Sequence, residues 1–251
     1  MKKIRIAGFG ACMISGKPFG QENSFFSQAV NHLKEKAIVE SLVTSLAGFP
    51  IDRASEHLEK QVLRKNPTHV VIQFSSVDIA SPYGYSYTIK QRLGLTKMKR
   101  SHSDSCASSR NSSSEHLEAF FGPLKQFDLV SNVRRFIKGR LGVMLNIEPR
   151  TNRAVYLETM KSMVHKIKGQ GAEPIVLLPF PFLDLWSDCQ SGALTKHVRC
   201  LSRELGFRVL ETRKILEPYP RHRIFLNNGM HITQFAHALL GRELAEIVIT
   251  A

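Results

Sequence analysis

Short apolar runs alternate along the chain with longer stretches whose apolar residues recur every three or four positions. The first pattern predicts β-strands, and the second predicts amphipathic α-helices. Their alternation is typical of repeated strand–helix units around a parallel sheet. The apolar runs lack strict polar–apolar alternation, which is expected for strands that are covered on both faces. The predicted strands are residues 4–8, 37–42, 69–74, 174–178 and 207–210.

Five helices are predicted from the three- and four-residue spacing. Gly206 follows one of them and precedes a strand, as a glycine at a helix C-terminus does. The Phe and Met residues on the apolar faces of these helices are assigned to the core. The predicted helices are residues 23–36, 51–64, 153–169, 194–205 and a last one that begins at about residue 233.

One segment, residues 79–150, contains no convincing strand and is interpreted as an insertion in a single domain that spans residues 1–251. Within it, residues 101–114 form a Ser-rich stretch typical of a loop, flanked by helical patterns over residues 116–124 and 129–140. Residues 90–140 hold eleven Lys or Arg against four Asp or Glu, an excess of seven. We expect this basic insertion to form a lid or a partner surface rather than a merely solvated loop.

The net charge is the unusual feature of the composition. Hydrophobic residues make up 43% of the chain and charged residues 22%, but 35 Lys and Arg against 21 Asp and Glu give a net charge of +14. This excess favours nucleic acid, an anionic membrane surface or acidic substrates as partners, or else a solvated basic surface. Nucleic acid is not expected, because Phe120, Phe121, Phe127 and Phe136 of the basic segment are assigned to the core faces of helices and not to a surface shared with the cations.

The N-terminal stretch, the cysteines and the glycine pattern argue against several classes of protein and of binding site. Arg5 interrupts the apolar stretch after Lys2 and Lys3, which is too short for a signal peptide, and no run approaches the length of a membrane span. The four cysteines form no CxxC pair and no zinc spacing, and no glycine-rich phosphate loop is present. We therefore predict a cytoplasmic protein with reduced thiols and without a metal or cofactor.

Residues that could take part in catalysis lie next to three of the predicted elements. Cys12 lies in the stretch from Gly10 to Gly16 after the first strand, and Asp78 follows the third strand. His231 directly precedes the last helix. Because the carboxyl ends of parallel strands share one edge, these side chains are expected to lie together, with His231 as a general base.

These stretches resemble, over nearly the whole chain, the motif blocks of the SGNH (GDSL-type) hydrolases. The stretch from Gly10 to Gly16 matches the first block, with Ala11 in place of the family's aspartate and Cys12 in place of its serine. Gly48 falls on the oxyanion-hole glycine of the second block. The third block falls on Ser75, Ser76, Val77 and Asp78, and the last block, Asp-x-x-His, falls on the segment from Asn228 to His231.

The resemblance implies a three-layer α/β/α sandwich with a mostly parallel central sheet. It also implies an esterase or acyltransferase in which Cys12 is the nucleophile, His231 the base and Asn228 the residue that orients the ring. Cys12, Gly48 and the hydroxyl of Ser75 or Ser76 would form the oxyanion hole, because Val77 stands where the family has an asparagine. Gly10 and Asp78 would support the site.

The implied substrate is an acylated carbohydrate, neutral or anionic, or else another small ester. Three of the site residues also have an ordinary structural interpretation: Cys12 as a small buried residue, Asn228 as a turn residue and Asp78 as a cap of the element that follows it. The alternative function is an inactive binding protein on the same scaffold, with the basic insertion as its partner surface. The aromatic stretch of residues 179–182 either lines a pocket or forms a stiff loop.

Overall fold

The computed structural model describes residues 2–74, 78, 129–144, 149, 151–227 and 229–250. The predicted helix over residues 116–124 and the Ser-rich stretch of residues 101–114 lie outside these ranges. Most of the predicted insertion, residues 79–150, does so as well. The division of the chain into one domain with an insertion therefore stays a prediction.

Five parallel strands form a single sheet in the order β2-β1-β3-β4-β5. All five predicted strands are confirmed, and their ends differ from the predicted ones by at most three residues. The strands are β1 (Lys3–Gly10), β2 (Ile38–Ser45), β3 (His69–Gln73), β4 (Glu173–Leu177) and β5 (Arg208–Leu210).

The described helices cover both faces of the sheet. They are α1 (Phe25–Lys34), α2 (Ile51–His57), α3 (Leu129–Met144), α4 (Arg153–Gly169), α5 (Leu185–Leu205), α6 (Thr212–Leu216), α7 (Arg221–Ile224) and α8 (Gln234–Ile249). Helices α1 and α8 pack on one face with α6 and α7, and α2, α4 and α5 pack on the other. The three-layer α/β/α sandwich is thus confirmed.

Two separate cores lie on the two faces of the sheet. In β1, Ile4 and Ile6 point toward α1 and α8, whereas Ala7 and Phe9 point toward α2 and α4. Both sets are at most 1% exposed to solvent. This burial on both sides explains why the apolar residues of β1 do not alternate strictly with polar ones.

Side-chain caps fix where several helices begin. Asn152 accepts a hydrogen bond from the Ala154 N–H at the start of α4, whose bounds are those predicted. Thr233 caps α8 in the same way. At the other end of α5, Gly206 adopts the left-handed conformation with φ of 64°, as predicted for a helix C-terminus.

Two predicted helices differ from the observed ones. The predicted helix of residues 51–64 is α-helical only to His57 and continues as a π-helical turn over Leu58–Val62 and a 3-10 turn over Leu63–Lys65. The wider turn lets Leu58, Val62 and Leu63 all face the core. Helix α5 begins nine residues before the predicted residue 194, because Asp184 caps it and Leu185 and Trp186 are the large apolar residues before that point, too few to give a helical period.

Within the described part of the chain, no helix combines the length and the apolar character needed to cross a membrane.

Candidate active site

Cys12 lies on a tight turn that leaves β1 at the carboxyl edge of the sheet. Two backbone hydrogen bonds fix the start of the turn: the Leu46 N–H donates to the Gly10 carbonyl over 2.8 Å, and the Ala11 N–H donates to the Gln73 carbonyl over 2.9 Å. A Cβ atom at Gly10 would lie only 2.3 Å from the Gln73 carbonyl oxygen. The glycine is therefore required for the close approach of β1 and β3 directly below Cys12.

Two serine hydroxyls brace the same turn. Ser15 Oγ donates to the Cys12 carbonyl over 3.0 Å. Ser45 Oγ, at the end of β2, lies 3.2 Å from the Ala11 carbonyl oxygen and 3.1 Å from Ser15 Oγ. The Lys17 N–H also donates to the Cys12 carbonyl. Hydrogen bonds from the backbone and from side chains thus hold the carbonyl groups on both sides of the Cys12 Cα atom.

His231 is presented by a second turn, between α7 and α8. The Leu226 N–H donates to the His231 carbonyl over 2.9 Å, and the Thr233 N–H donates to the Ile224 carbonyl over 2.9 Å. Gly229, in the left-handed conformation with φ of 68°, allows the chain to reverse between these two bonds. The turn places the histidine at the sheet edge, immediately before α8 begins.

The two turns bring Cys12 and His231 together although they are 219 residues apart in the sequence. Cys12 Sγ and His231 Nε2 are separated by 3.5 Å, a hydrogen-bonding distance for sulfur. Both residues are half-buried. A thiol and an imidazole in this arrangement can exchange a proton directly, as a nucleophile and its base must.

The surroundings of His231 favour its neutral form. Burial lowers the pKa of His231, and the positive charge of Lys17 lowers it further. The neighbouring His237 is fully buried, its Nδ1 accepts a hydrogen bond from the Phe25 N–H, and burial lowers its pKa to about 3. At neutral pH the His231 ring is therefore neutral and can accept the proton of a thiol.

Asp78 is buried and connects the starts of two helices. Its Oδ1 accepts hydrogen bonds from the Ile51 N–H over 2.9 Å and from the Thr151 hydroxyl over 2.8 Å. Ile51 is the first residue of α2, so Asp78 binds an N–H at the start of a helix that precedes it in the chain, whereas the sequence suggested a cap for the element that follows it. Gly48, with φ of 84°, lies three residues before α2, on the loop that this bond anchors.

The sequence matches no protein-family model and no curated protein. Solved structures, however, match nearly the whole chain. A lipase/acylhydrolase from Enterococcus faecalis gives a TM-score of 0.63 at 15% identity and covers 98% of this chain and 95% of its own. A lipolytic protein of the G-D-S-L family from Veillonella parvula gives a TM-score of 0.62 at 9% identity, and the match covers 100% of both chains. An acetyl xylan esterase variant from Geobacillus stearothermophilus gives a TM-score of 0.63 at 12% identity, and the match covers 97% of this chain and 93% of the esterase. The chain has the SGNH-hydrolase fold.

In this SGNH fold, several residues singled out from the sequence lie outside the described ranges. They are Ser75, Ser76, Val77 and Asn228. The roles expected for the two serines in an oxyanion hole and for Asn228 in orienting His231 stay predictions. Among the residues that the structure describes, no group of three or more His, Cys, Asp or Glu is arranged to hold a metal ion.

Sequence reasoning missed Tyr156, which supports the end of β3. Its hydroxyl donates to the Phe74 carbonyl over 2.5 Å from within the core. Burial and the nearby charge of Asp78 raise the pKa of Tyr156 well above its ordinary value, so that the hydroxyl stays protonated and can donate. The available signal was a tyrosine at an inward position of α4, in step with Met160 and Met163.

The aromatic stretch after β4 belongs to the core rather than to an open pocket. Phe180, Phe182 and Trp186 are each at most 4% exposed. The Ser191 hydroxyl donates to the Phe180 carbonyl, and Asp188 accepts from the Phe182 N–H. These contacts support the stiff-loop interpretation of residues 179–182.

Proposed function

We propose that this protein is an SGNH-type ester hydrolase or acyltransferase in which Cys12 is the nucleophile and His231 the general base. The observation that carries the proposal is the 3.5 Å separation between Cys12 Sγ and His231 Nε2 at the carboxyl edge of the sheet. Open parallel sheets bind their ligands at this edge. The solved structures that share the fold include lipases and acetyl xylan esterases, which supports ester chemistry.

The reaction begins with attack of the Cys12 sulfur on the acyl carbon of the ester. His231 Nε2 takes the thiol proton as the new S–C bond forms. When the tetrahedral intermediate collapses, the C–O bond to the alcohol breaks and His231 returns the proton to the leaving oxygen. The product of this half-reaction is a thioester on Cys12 and a free alcohol.

A second nucleophile then releases the acyl group. Water, deprotonated by His231, attacks the thioester carbon, the C–S bond breaks, and the proton returns to the Cys12 sulfur. If an alcohol or amine takes the place of water, the same steps transfer the acyl group instead of hydrolysing it. Both outcomes use the same two side chains.

The lowered pKa of His231 fits this role. An imidazole that is already neutral at pH 7 accepts a proton without first having to lose one. A thiol also needs less help from a base than an alcohol does, because its ordinary pKa of about 8.5 is close to neutrality. Cysteine in place of serine therefore suits a site in which the aspartate of the family's last block is replaced by Asn228.

We further propose that the oxyanion is held by the backbone N–H groups of Cys12 and Gly48, with a hydroxyl of Ser75 or Ser76 as a third donor. Val77 stands at the position of the family's asparagine. Losing one such donor costs about 3–4 kcal/mol of transition-state stabilisation. The turnover of this protein is accordingly expected to be slower than that of an SGNH esterase with the full donor set.

The proposed substrate is an acylated carbohydrate or another small ester. Three of the structures with the same fold are of acetyl xylan esterases. The net charge of +14 would also attract an anionic acylated sugar.

The proposal is tested by comparing wild type with Cys12→Ala and His231→Ala on an activated acetate ester and on acetylated xylo-oligosaccharides. Loss of turnover in both variants is expected, while Cys189→Ala, which removes an exposed thiol elsewhere, should retain the wild-type rate. Unchanged turnover in Cys12→Ala would refute the nucleophile. A wild type that neither turns over esters nor forms an adduct at Cys12 would instead favour the binding-protein alternative.

A further inference from the structure

Helix α3 turns an apolar stripe toward solvent. Five apolar side chains of this helix are between 45 and 78% exposed: Val133, Phe136, Ile137, Val143 and Met144. The assignment of Phe136 to the core from the sequence is therefore wrong, because this residue is 59% exposed. The spacing of the five residues places them on one side of an α-helix, because positions three, four, seven and eleven residues apart share a face. A stripe of this size on a surface helix marks an interaction site rather than scattered exposed residues.

The other side of α3 is fixed against α5 by two glycines. A Cβ at Gly139 would lie 2.9 Å from the Leu185 backbone nitrogen, and a Cβ at Gly142 would lie 2.8 Å from Trp186 Cγ. The two helices therefore approach more closely than any larger residue would allow. This packing holds the apolar stripe outward.

The charge of α3 complements an anionic surface. Its sixteen residues include four Lys or Arg and no Asp or Glu: Arg134, Arg135, Lys138 and Arg140. The Arg140 guanidinium lies 5.0 Å from the centre of the Phe136 ring, so a cation accompanies the most prominent aromatic of the stripe. A helix that is apolar on one side and basic overall is typical of segments that lie in the interface of an anionic membrane.

The same charge disfavours a second copy of this chain as the occupant. A dimer formed through α3 would bring together two chains that each carry a net charge of +14. An anionic bilayer accepts the apolar side chains and neutralises the cations at once.

The apolar surface extends toward the candidate active site. Leu185, which touches Gly139, is exposed, and so is Met230, which directly precedes His231. Between them, the Leu183 side chain packs against Gly229. A partner bound to α3 would therefore lie beside the turn that carries His231.

We propose that α3 docks this protein on anionic phospholipid bilayers, with its apolar stripe in the acyl boundary and Arg140, beside the stripe, at the lipid phosphates. This binding is independent of the proposed catalysis and can be measured without turnover. Replacement of two central stripe residues by serine is expected to lower the membrane partition coefficient by about tenfold or more, because each large apolar side chain adds to the area buried in the bilayer interface.

The test is co-sedimentation of the full chain with phosphatidylcholine vesicles that contain or lack phosphatidylglycerol. Wild type is expected to bind the anionic vesicles, to bind them less at high salt, and to leave the neutral ones unbound. The double variant Phe136→Ser, Ile137→Ser should lose this binding. The control Ile38→Ser removes a comparably exposed apolar side chain at the start of β2 and should bind like wild type.

Three results would overturn the proposal. One is equal binding of wild type and the double variant to anionic vesicles. Another is failure of wild type to sediment with them. The third is a concentration-dependent dimer of wild type, seen by light scattering and lost in the double variant, which would assign the stripe to a second copy. Far-UV circular dichroism of both variants confirms that the helical content is kept.

Discussion

Removing the Asp78 carboxylate should destabilise the protein and disturb the loop that carries Gly48. Asp78 is 2% exposed, and its Oδ1 accepts from the Ile51 N–H and the Thr151 hydroxyl. Loss of a capping acceptor costs about 0.5–2 kcal/mol. The Thr151 hydroxyl, left without this acceptor, adds about 1–3 kcal/mol. We therefore expect Asp78→Ala to lower the free energy of unfolding by about 2–4 kcal/mol.

Two further variants separate the causes. Asp78→Asn keeps a side-chain oxygen that can accept both bonds, so its loss should be clearly smaller than that of Asp78→Ala. Thr151→Val removes only one of the two bonds and should cost about 1 kcal/mol. Because both residues share one interaction, the double variant Asp78→Ala, Thr151→Val should be less destabilised than the sum of the single variants.

Equilibrium urea denaturation of the three single variants and the double variant measures these differences directly. An Asp78→Ala variant within about 0.5 kcal/mol of wild type would refute the capping role, because ordinary surface changes produce effects of that size. Equal losses for Asp78→Ala and Asp78→Asn would show that charge, and not the acceptor oxygen, is what matters.

Two other predictions concern the sheet and the pH dependence of stability. Gly10→Ala should lower the free energy of unfolding by about 1–3 kcal/mol, because its Cβ would lie 2.3 Å from the Gln73 carbonyl oxygen. Gly192→Ala in α5, where the space around the new Cβ is open, should raise it by up to about 1 kcal/mol. Thermal unfolding of both variants measures the difference. The pKa of His237 is lowered to about 3 in the folded state, so the unfolded chain binds more protons below pH about 6.5, and each pH unit of acidification should remove up to about 1.4 kcal/mol of stability. Urea titrations between neutral pH and pH about 4 should show a shallower dependence for His237→Gln, and an unchanged slope would contradict this assignment.

The sheet could be predicted from the sequence because its strands are nearly uniform in hydrophobicity. A run such as residues 174–178 has no polar face, and only a strand covered on both sides accommodates it. The start of α5 could not be predicted in the same way. Its first turns are held by Asp184 and by Ser191, whose hydroxyl donates to the Phe180 carbonyl, and such polar contacts leave no hydrophobic period in the sequence.

The candidate site, like the fold, was predictable from the sequence only in part. That Cys12 and His231 share an edge followed from strand ends and from the family resemblance, and the structure brings their side chains together. The bond from Ile51 to Asp78 and the support of Phe74 by Tyr156 join elements that are far apart in the chain. Contacts of this kind depend on packing in three dimensions and give no local pattern.

The role of Cys12 is tested most directly by trapping its acyl intermediate. The protein is mixed with an activated acetate ester, quenched in acid at early times and digested, and the peptide that contains each cysteine is examined by mass spectrometry. The exposed Cys189 and Cys200 serve as internal controls. We predict one acetyl group on Cys12, formed faster than on either control, lost on the timescale of turnover, and slowed in His231→Ala. The lowered pKa of His231 predicts that the rate of acetylation stays high as the pH falls to about 6.5. Ester turnover without any acetyl group on Cys12, or acetylation of Cys12 no faster than of Cys189 and Cys200, would contradict the assignment.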